Sequence, residues 1–146
     1  MFISGLTYIA DYLSSATQKV LIGEIDSFPW SNKLKRRTQH YGYEYDYTKR
    51  TINTSMRVGR MPPLCHQLAV KLFNDRMISF QPDQLIVNEY LPGQGIAPHI
   101  DCVPCFNDTI VTISLLAEYP LVFTRGKEVV ELPLGIGSLL SITGEA

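Results

Sequence analysis

The alternation of apolar and polar positions divides this chain into two helical stretches followed by a series of short strands. From Ser15 to about Ile25, Val20, Leu21 and Ile25 recur at helical spacing, with Ser14 or Ser15 placed to cap the first turn. A second helix is expected after Pro62-Pro63, because proline suits the first helical position. Its apolar stripe would be Leu64, Leu68 and Leu72, with Ala69, Phe73 and Met77. Beyond Gln84 the period changes. LIVNEYL, TIVTISLL, PLVFTR, KEVVEL and GSLLSIT are short β-rich runs, each bounded by proline, glycine, asparagine or a charge. Arg125-Gly126 reads as a tight hairpin turn between two of them. Strands in succession without intervening helices argue for an antiparallel sandwich or jelly roll. The expected class is therefore α+β, with N-terminal helices packed on the β-sandwich.

Length and composition fit one domain. The 146 residues are 45% hydrophobic and 18% charged, which suits a soluble globular chain with a real core. No apolar run approaches the roughly 18 residues a membrane span needs. The opening MFISGLTYIADYLSS lacks a basic leader and carries Asp11, which argues against a secretory signal and for a cytoplasmic protein. Three cysteines, Cys65, Cys102 and Cys105, make no even disulfide framework and suit a reducing compartment.

Charge changes the picture more. Residues 31–60 hold eight Lys or Arg against Glu44 and Asp46, a net +6, while the remainder carries five basic and twelve acidic residues, a net −7. A basic segment on an acidic domain is a footprint for a polyanion. Within it Tyr41, Tyr43, Tyr45 and Tyr47 alternate, so that in a strand all four rings share one face. Beside Lys33, Lys35, Arg36 and Arg37, such rings could stack unpaired bases while the cations neutralise phosphates. The same alternation would also arise if the tyrosines merely covered a sheet.

The chemistry-bearing stretch is NEYLPGQGIAPHIDC, residues 88–102. In a strand, His99 and Asp101 project from one face, and an imidazole beside a carboxylate supplies two ligands of a 2-His-1-carboxylate Fe(II) site. Asn88 and Tyr90 likewise share a face, where they would be polar donors for a dicarboxylate. Gly-Gln-Gly is no phosphate loop, because no helix follows it. A competing reading joins His99 to Cys102 and Cys105 in a partial zinc site, which lacks a fourth ligand.

Taken together, QLIVNEYLPGQGIAPHID, FNDTIVTISLL, GSLLSITGEA and RRTQHYGYEYDY resemble the AlkB family of Fe(II)/2-oxoglutarate-dependent dioxygenases, in the form of the branch that includes a tRNA wobble-uridine hydroxylase. The resemblance covers nearly the whole chain. It implies a double-stranded β-helix, iron held by His99 and Asp101, and 2-oxoglutarate contacted by Asn88 and Tyr90. It also implies nucleic-acid contacts from Arg36, Arg37, Tyr41 and Tyr43. The implied reaction decarboxylates 2-oxoglutarate with O₂ and hydroxylates a C–H bond; an N-alkyl carbinol so formed releases aldehyde. The family pattern continues past TGEA with further strands, a second iron histidine and carboxylate-binding arginines, and neither His40 nor His66 matches that histidine. The expectation is thus a single oxygenase domain over 1–146 that lacks its final strands and turns over poorly. It would be a monomer able to self-associate through open strand edges, with no membrane partner. The alternative is a fragment that binds nucleic acid without catalysis.

Overall fold

The computed structural model describes residues 3–42, 59–99, 109–144 and 146, and the account below concerns these. They form two helices and seven strands in an α+β arrangement, with every strand pairing antiparallel. No helix among them is long and apolar enough to cross a membrane. The chain divides into two compact units, residues 1–22 with 108–146, and residues 23–107.

The first unit is built on β7 (Leu139–Thr143), which lies between β1 (Leu6–Ile9) and β4 (Thr109–Ile113) in a three-stranded sheet. A strand with neighbours on both edges loses solvent from both, and Leu139, Leu140 and Ser141 are all buried. β1 was not expected from the sequence. Its four residues LTYI are too few to show a period, and they become a strand by pairing Leu6 with Ile142 and Ile9 with Leu139. Tyr8 adds a longer-range tie, its hydroxyl accepting the Gly135 N–H at 2.9 Å.

β5 (Tyr119–Arg125) and β6 (Glu128–Leu134) form a hairpin in the same unit. Arg125 pairs with Glu128, so the turn residues are Gly126 and Lys127, one position later than expected. Gly126 has φ +61°, a left-handed conformation that glycine adopts without steric cost and arginine does not.

Helix α1 (Ser15–Asp26) begins as expected, with the Ser14 hydroxyl accepting the Thr17 N–H at 3.2 Å. Leu21 and Ile25 are buried, but Val20 is 56% exposed, because it lies on the flank of the helix away from them. Helix α2 (Pro63–Asn74), in the second unit, starts at the expected proline. Its buried stripe is Cys65, Ala69 and Leu72. Leu64 and Leu68 are only half-buried and Phe73 is exposed, so the true seam is rotated toward the cysteine.

The second unit also holds β2 (Arg37–Tyr41) and β3 (Leu85–Glu89), a two-stranded antiparallel ribbon. Its register runs from Arg37 opposite Glu89 to Tyr41 opposite Leu85. This ribbon carries most of the candidate site residues that are described.

Candidate functional site

Period-two geometry sorts the β2–β3 ribbon into two faces. Arg37, Gln39 and Tyr41 share one with Glu89, Val87 and Leu85. Thr38 and His40 share the other with Asn88 and Ile86.

The first face is packed against the protein. The Gln39 amide donates to the carbonyl oxygens of Ile25 at 2.8 Å and Phe28 at 3.3 Å, satisfying backbone acceptors at and just past the C-terminal end of α1. Tyr41 donates its hydroxyl to Gln39 Oε1 at 2.8 Å and meets Phe28 edge-on, ring centroids 6.0 Å apart. Burial, reinforced by the nearby Cys65 and Glu24, raises the Tyr41 pKa and holds the phenol protonated. Arg37 grips Glu89 with two parallel bonds of 2.7 Å and lies 4.6 Å over the Trp30 ring. Tyr41 and Arg37 therefore have intramolecular partners, and the ring of Tyr41 turns inward. Tyr43, Tyr45 and Tyr47 lie outside the described residues.

Glu24 anchors the same unit from α1. Its carboxylate accepts the Leu64 N–H at 2.9 and 3.0 Å and the Cys65 N–H at 3.1 Å, at the first turn of α2. Pro62, the cap residue, offers no side-chain bond there. Burial first, then the Glu24 carboxylate, pushes the Cys65 thiol up to about 12. The thiol is inert at neutral pH.

On the second face, Arg36 Nε donates to Asn88 Oδ1 at 2.9 Å. Thr38, directly opposite Asn88, is buried, while Asn88 itself is exposed. Tyr90 follows the last residue of β3 and is half-buried. Past it, Leu91-Pro92-Gly93-Gln94 closes as a type II turn: Gln94 N–H donates to Leu91 O at 2.9 Å and Gly93 has φ +84°. The Gln94 side chain locks the turn, accepting the Leu91 N–H at 2.8 Å and donating to Lys35 O at 3.2 Å.

His99 is exposed and lies in irregular chain, outside any strand, so the strand geometry expected there does not extend to it. Its Nδ1 sits 2.9 Å from Ala97 O. A carbonyl can only accept, so this contact puts a hydrogen on Nδ1; in the neutral ring that leaves the lone pair on Nε2, a form that can bind a metal. Asp101, Cys102 and Cys105 lie outside the described residues. Among those described, no cluster of three or more His, Cys, Asp or Glu could hold a metal ion, and His99 is one donor of suitable chemistry. Glu24, Gln39, Trp30 and Glu89 were not anticipated, since their partners lie seven to 52 residues away with no local signature.

Comparison with known proteins settles the family. Residues 5–146 match the 2OG-Fe(II) oxygenase superfamily. The chain belongs to its AlkB-like members. These are enzymes that use Fe(II) and 2-oxoglutarate. The alkylated DNA repair protein ALKBH8 homolog of Arabidopsis thaliana is 35% identical over 128 residues, covering 84% of this chain and 37% of that protein. The Xenopus tropicalis tRNA (carboxymethyluridine(34)-5-O)-methyltransferase alkbh8 is 33% identical over 148 residues, covering 97% of this chain and 24% of that protein. The human alpha-ketoglutarate-dependent dioxygenase alkB homolog 4 is 24% identical over 125 residues, 83% of this chain and 41% of the relative. This AlkB-like chain thus spans between about a quarter and two fifths of the length of these three relatives.

Proposed function

We propose that this chain hydroxylates or oxidatively dealkylates a base in DNA or RNA, using Fe(II), O₂ and 2-oxoglutarate. The observation that carries the proposal is the superfamily match over residues 5–146, joined to relatives whose names specify DNA repair and tRNA modification. In this reading the strands belong to a double-stranded β-helix within a single oxygenase domain. His99 and Asp101 hold the iron, which when bound with 2-oxoglutarate supplies the oxidising power for C–H hydroxylation.

The chain's own residues bind and orient. His99, with its Nδ1 hydrogen committed to Ala97 O, would hold the metal through Nε2. Asn88 and Tyr90 offer an amide and a phenol to the carboxylates of 2-oxoglutarate. Arg36 and Tyr43, with Lys33 and Lys35, make the contacts of the nucleic-acid surface, while Arg37 and Tyr41 lie on the packed face of the ribbon. The contacts of Arg37 with Glu89 and of Tyr41 with Gln39 give those two a share in shaping that surface from beneath. The methyltransferase activity in the Xenopus relative's name concerns a protein of which the match covers 24%, and it is not part of this proposal.

The test is to incubate the purified chain with Fe(II), 2-oxoglutarate and either N-methylated oligonucleotides or unfractionated tRNA, then to digest and quantify nucleosides and succinate. Nucleoside oxidation coupled to succinate supports the proposal. Oligonucleotide binding without product supports a non-catalytic binding fragment instead, and retention of zinc through EDTA dialysis supports the thiolate site.

A further inference from the structure

We infer that Arg36 is a positioning residue for co-substrate, which fixes the side-chain amide of Asn88 so that its two N–H donors face the 2-oxoglutarate site. This rests on the proposed co-substrate role of Asn88 and adds a residue that neither the motif nor the comparisons assign.

The argument begins with an ambiguity in asparagine. Its carboxamide presents an acceptor on one side and two donors on the other, and a half-turn about the last bond exchanges them. A carboxylate ligand needs the donor side. An exposed asparagine on a short ribbon is free to populate both orientations, and in half of them it presents an oxygen to an anion. Arg36 removes that freedom. A guanidinium has five N–H donors and no acceptor, so the Asn88 atom 2.9 Å from Arg36 Nε can only be Oδ1. The Nδ2 amide group is then directed away from Arg36 and is the side left to recognise an anion.

The register explains why Arg36 can do this. Asn88 is opposite Thr38, and Arg36 lies just before β2, two residues ahead of Thr38, within reach of the Asn88 side chain. Thr38 beneath them is 2% exposed and its backbone is bonded both ways to Ser31, at 2.8 and 3.1 Å. On the other side, the Gln94 amide holds Lys35 O, one residue before Arg36. The platform under the pair is thus fastened on two sides, and Gln94 ends the turn that follows Asn88 and Tyr90 in the chain. The neighbouring Arg37, committed to Glu89 and Trp30, faces the opposite way and cannot substitute. Two consecutive arginines in the basic segment therefore serve different purposes: Arg37 fastens the ribbon, and Arg36 sets a polar group on its far face.

The experiment uses the whole chain, with 2-oxoglutarate and Mn(II) as probes. First, the ¹³Cγ and ¹⁵Nδ2 signals of Asn88 are compared in the unliganded wild type, Arg36→Ala and Arg36→Lys. Arg36→Ala should move both signals while leaving those of Gln39 and Gln94 in place; an unmoved Asn88 amide overturns the inference. Second, 2-oxoglutarate affinity is measured calorimetrically in a cycle of Arg36→Ala, Asn88→Ala and the double variant. Restoring two orientations and extra rotamer freedom to Asn88 should weaken binding about fivefold in Arg36→Ala. The double variant should bind no worse than Asn88→Ala alone. Equal losses from Arg36→Ala in both backgrounds would mean that Arg36 acts through its own charge, and would overturn the positioning role. If Asn88→Ala leaves affinity unchanged, the co-substrate reading of Asn88 fails and takes this inference with it. Failure confined to Arg36 leaves that reading standing.

Discussion

Replacing Glu24 by alanine should unfasten the second unit from one end. The carboxylate receives two backbone N–H groups at the start of α2, Leu64 and Cys65, over distances of 2.9–3.1 Å. Pro62 makes no side-chain bond at that end and Pro63 has no N–H to offer. Each hydrogen bond to a charged acceptor contributes roughly 1.5–3 kcal/mol, which sets an upper limit of about 6 kcal/mol for two. Glu24 is only half-buried, however, so water can reach the released amides and the loss should fall toward the N-cap range of ~0.5–2 kcal/mol. The negative charge adds up to ~1 kcal/mol against the helix dipole. We therefore expect Glu24→Ala to destabilise the chain by about 2 kcal/mol, lowering Tm by about 6 °C. Glu24→Gln, which keeps an acceptor without the charge, should lose about half as much. Urea unfolding gives the magnitude and amide exchange at Leu64 and Cys65 gives its location. A loss of less than about 0.5 kcal/mol, with exchange at those two amides unchanged, would refute the capping argument.

Other perturbations probe the same framework. Gly42 has φ +81°, and a Cβ placed there would drive into the backbone carbonyl of Asp83, so Gly42→Ala should cost at least about 2 kcal/mol in urea unfolding. The Cys65 thiol is raised from 9.0 to about 12, so the proton it holds stabilises the fold. That contribution is complete below pH 9 and is lost as pH climbs toward 12; Cys65→Ala should flatten the alkaline limb of the stability profile. Glu89 shows the opposite sign. Its hydrogen bonds to Arg37 hold it below the usual carboxylate range, so its contribution is present above that range and lost as pH falls through the depressed value. Glu89→Gln should make urea midpoints less sensitive to pH between ~6 and ~3.

Regular elements with a long period were legible in the sequence, and those that exist only by pairing were not. α1 and α2 announced themselves through serine, proline and recurring leucines, and five strand runs through β-branched clusters between turn residues. β1 did not, since four residues carry no period until β7 lies beside them. The side of each helix that is buried was less readable than the helix itself: Phe73 satisfies the same spacing rule as Leu72 and faces solvent. In the candidate site, composition showed arginines and tyrosines but could not divide their labour. Arg37 and Arg36 are adjacent in a basic run, yet one is claimed by a glutamate 52 residues away and the other by an asparagine 52 residues away, on opposite faces. Tyr41 fits an exposed aromatic ladder by spacing, and Phe28 with Gln39 draws it inward. Asn88, Tyr90, His99 and Asp101 stood out by their spacing of two, but only the resemblance pointed them toward iron and 2-oxoglutarate, because side-chain chemistry at that spacing is common to many structural strands.

Metal binding reports most directly on whether His99 and Asp101 hold iron. Titration of the chain with Mn(II), followed by the loss of the free-ion resonance signal, should give a site that weakens at least about tenfold in both His99→Ala and Asp101→Ala, and that survives Cys102→Ser with Cys105→Ser. Affinity untouched by either of the first two changes, or abolished by the cysteine pair alone, would contradict the account.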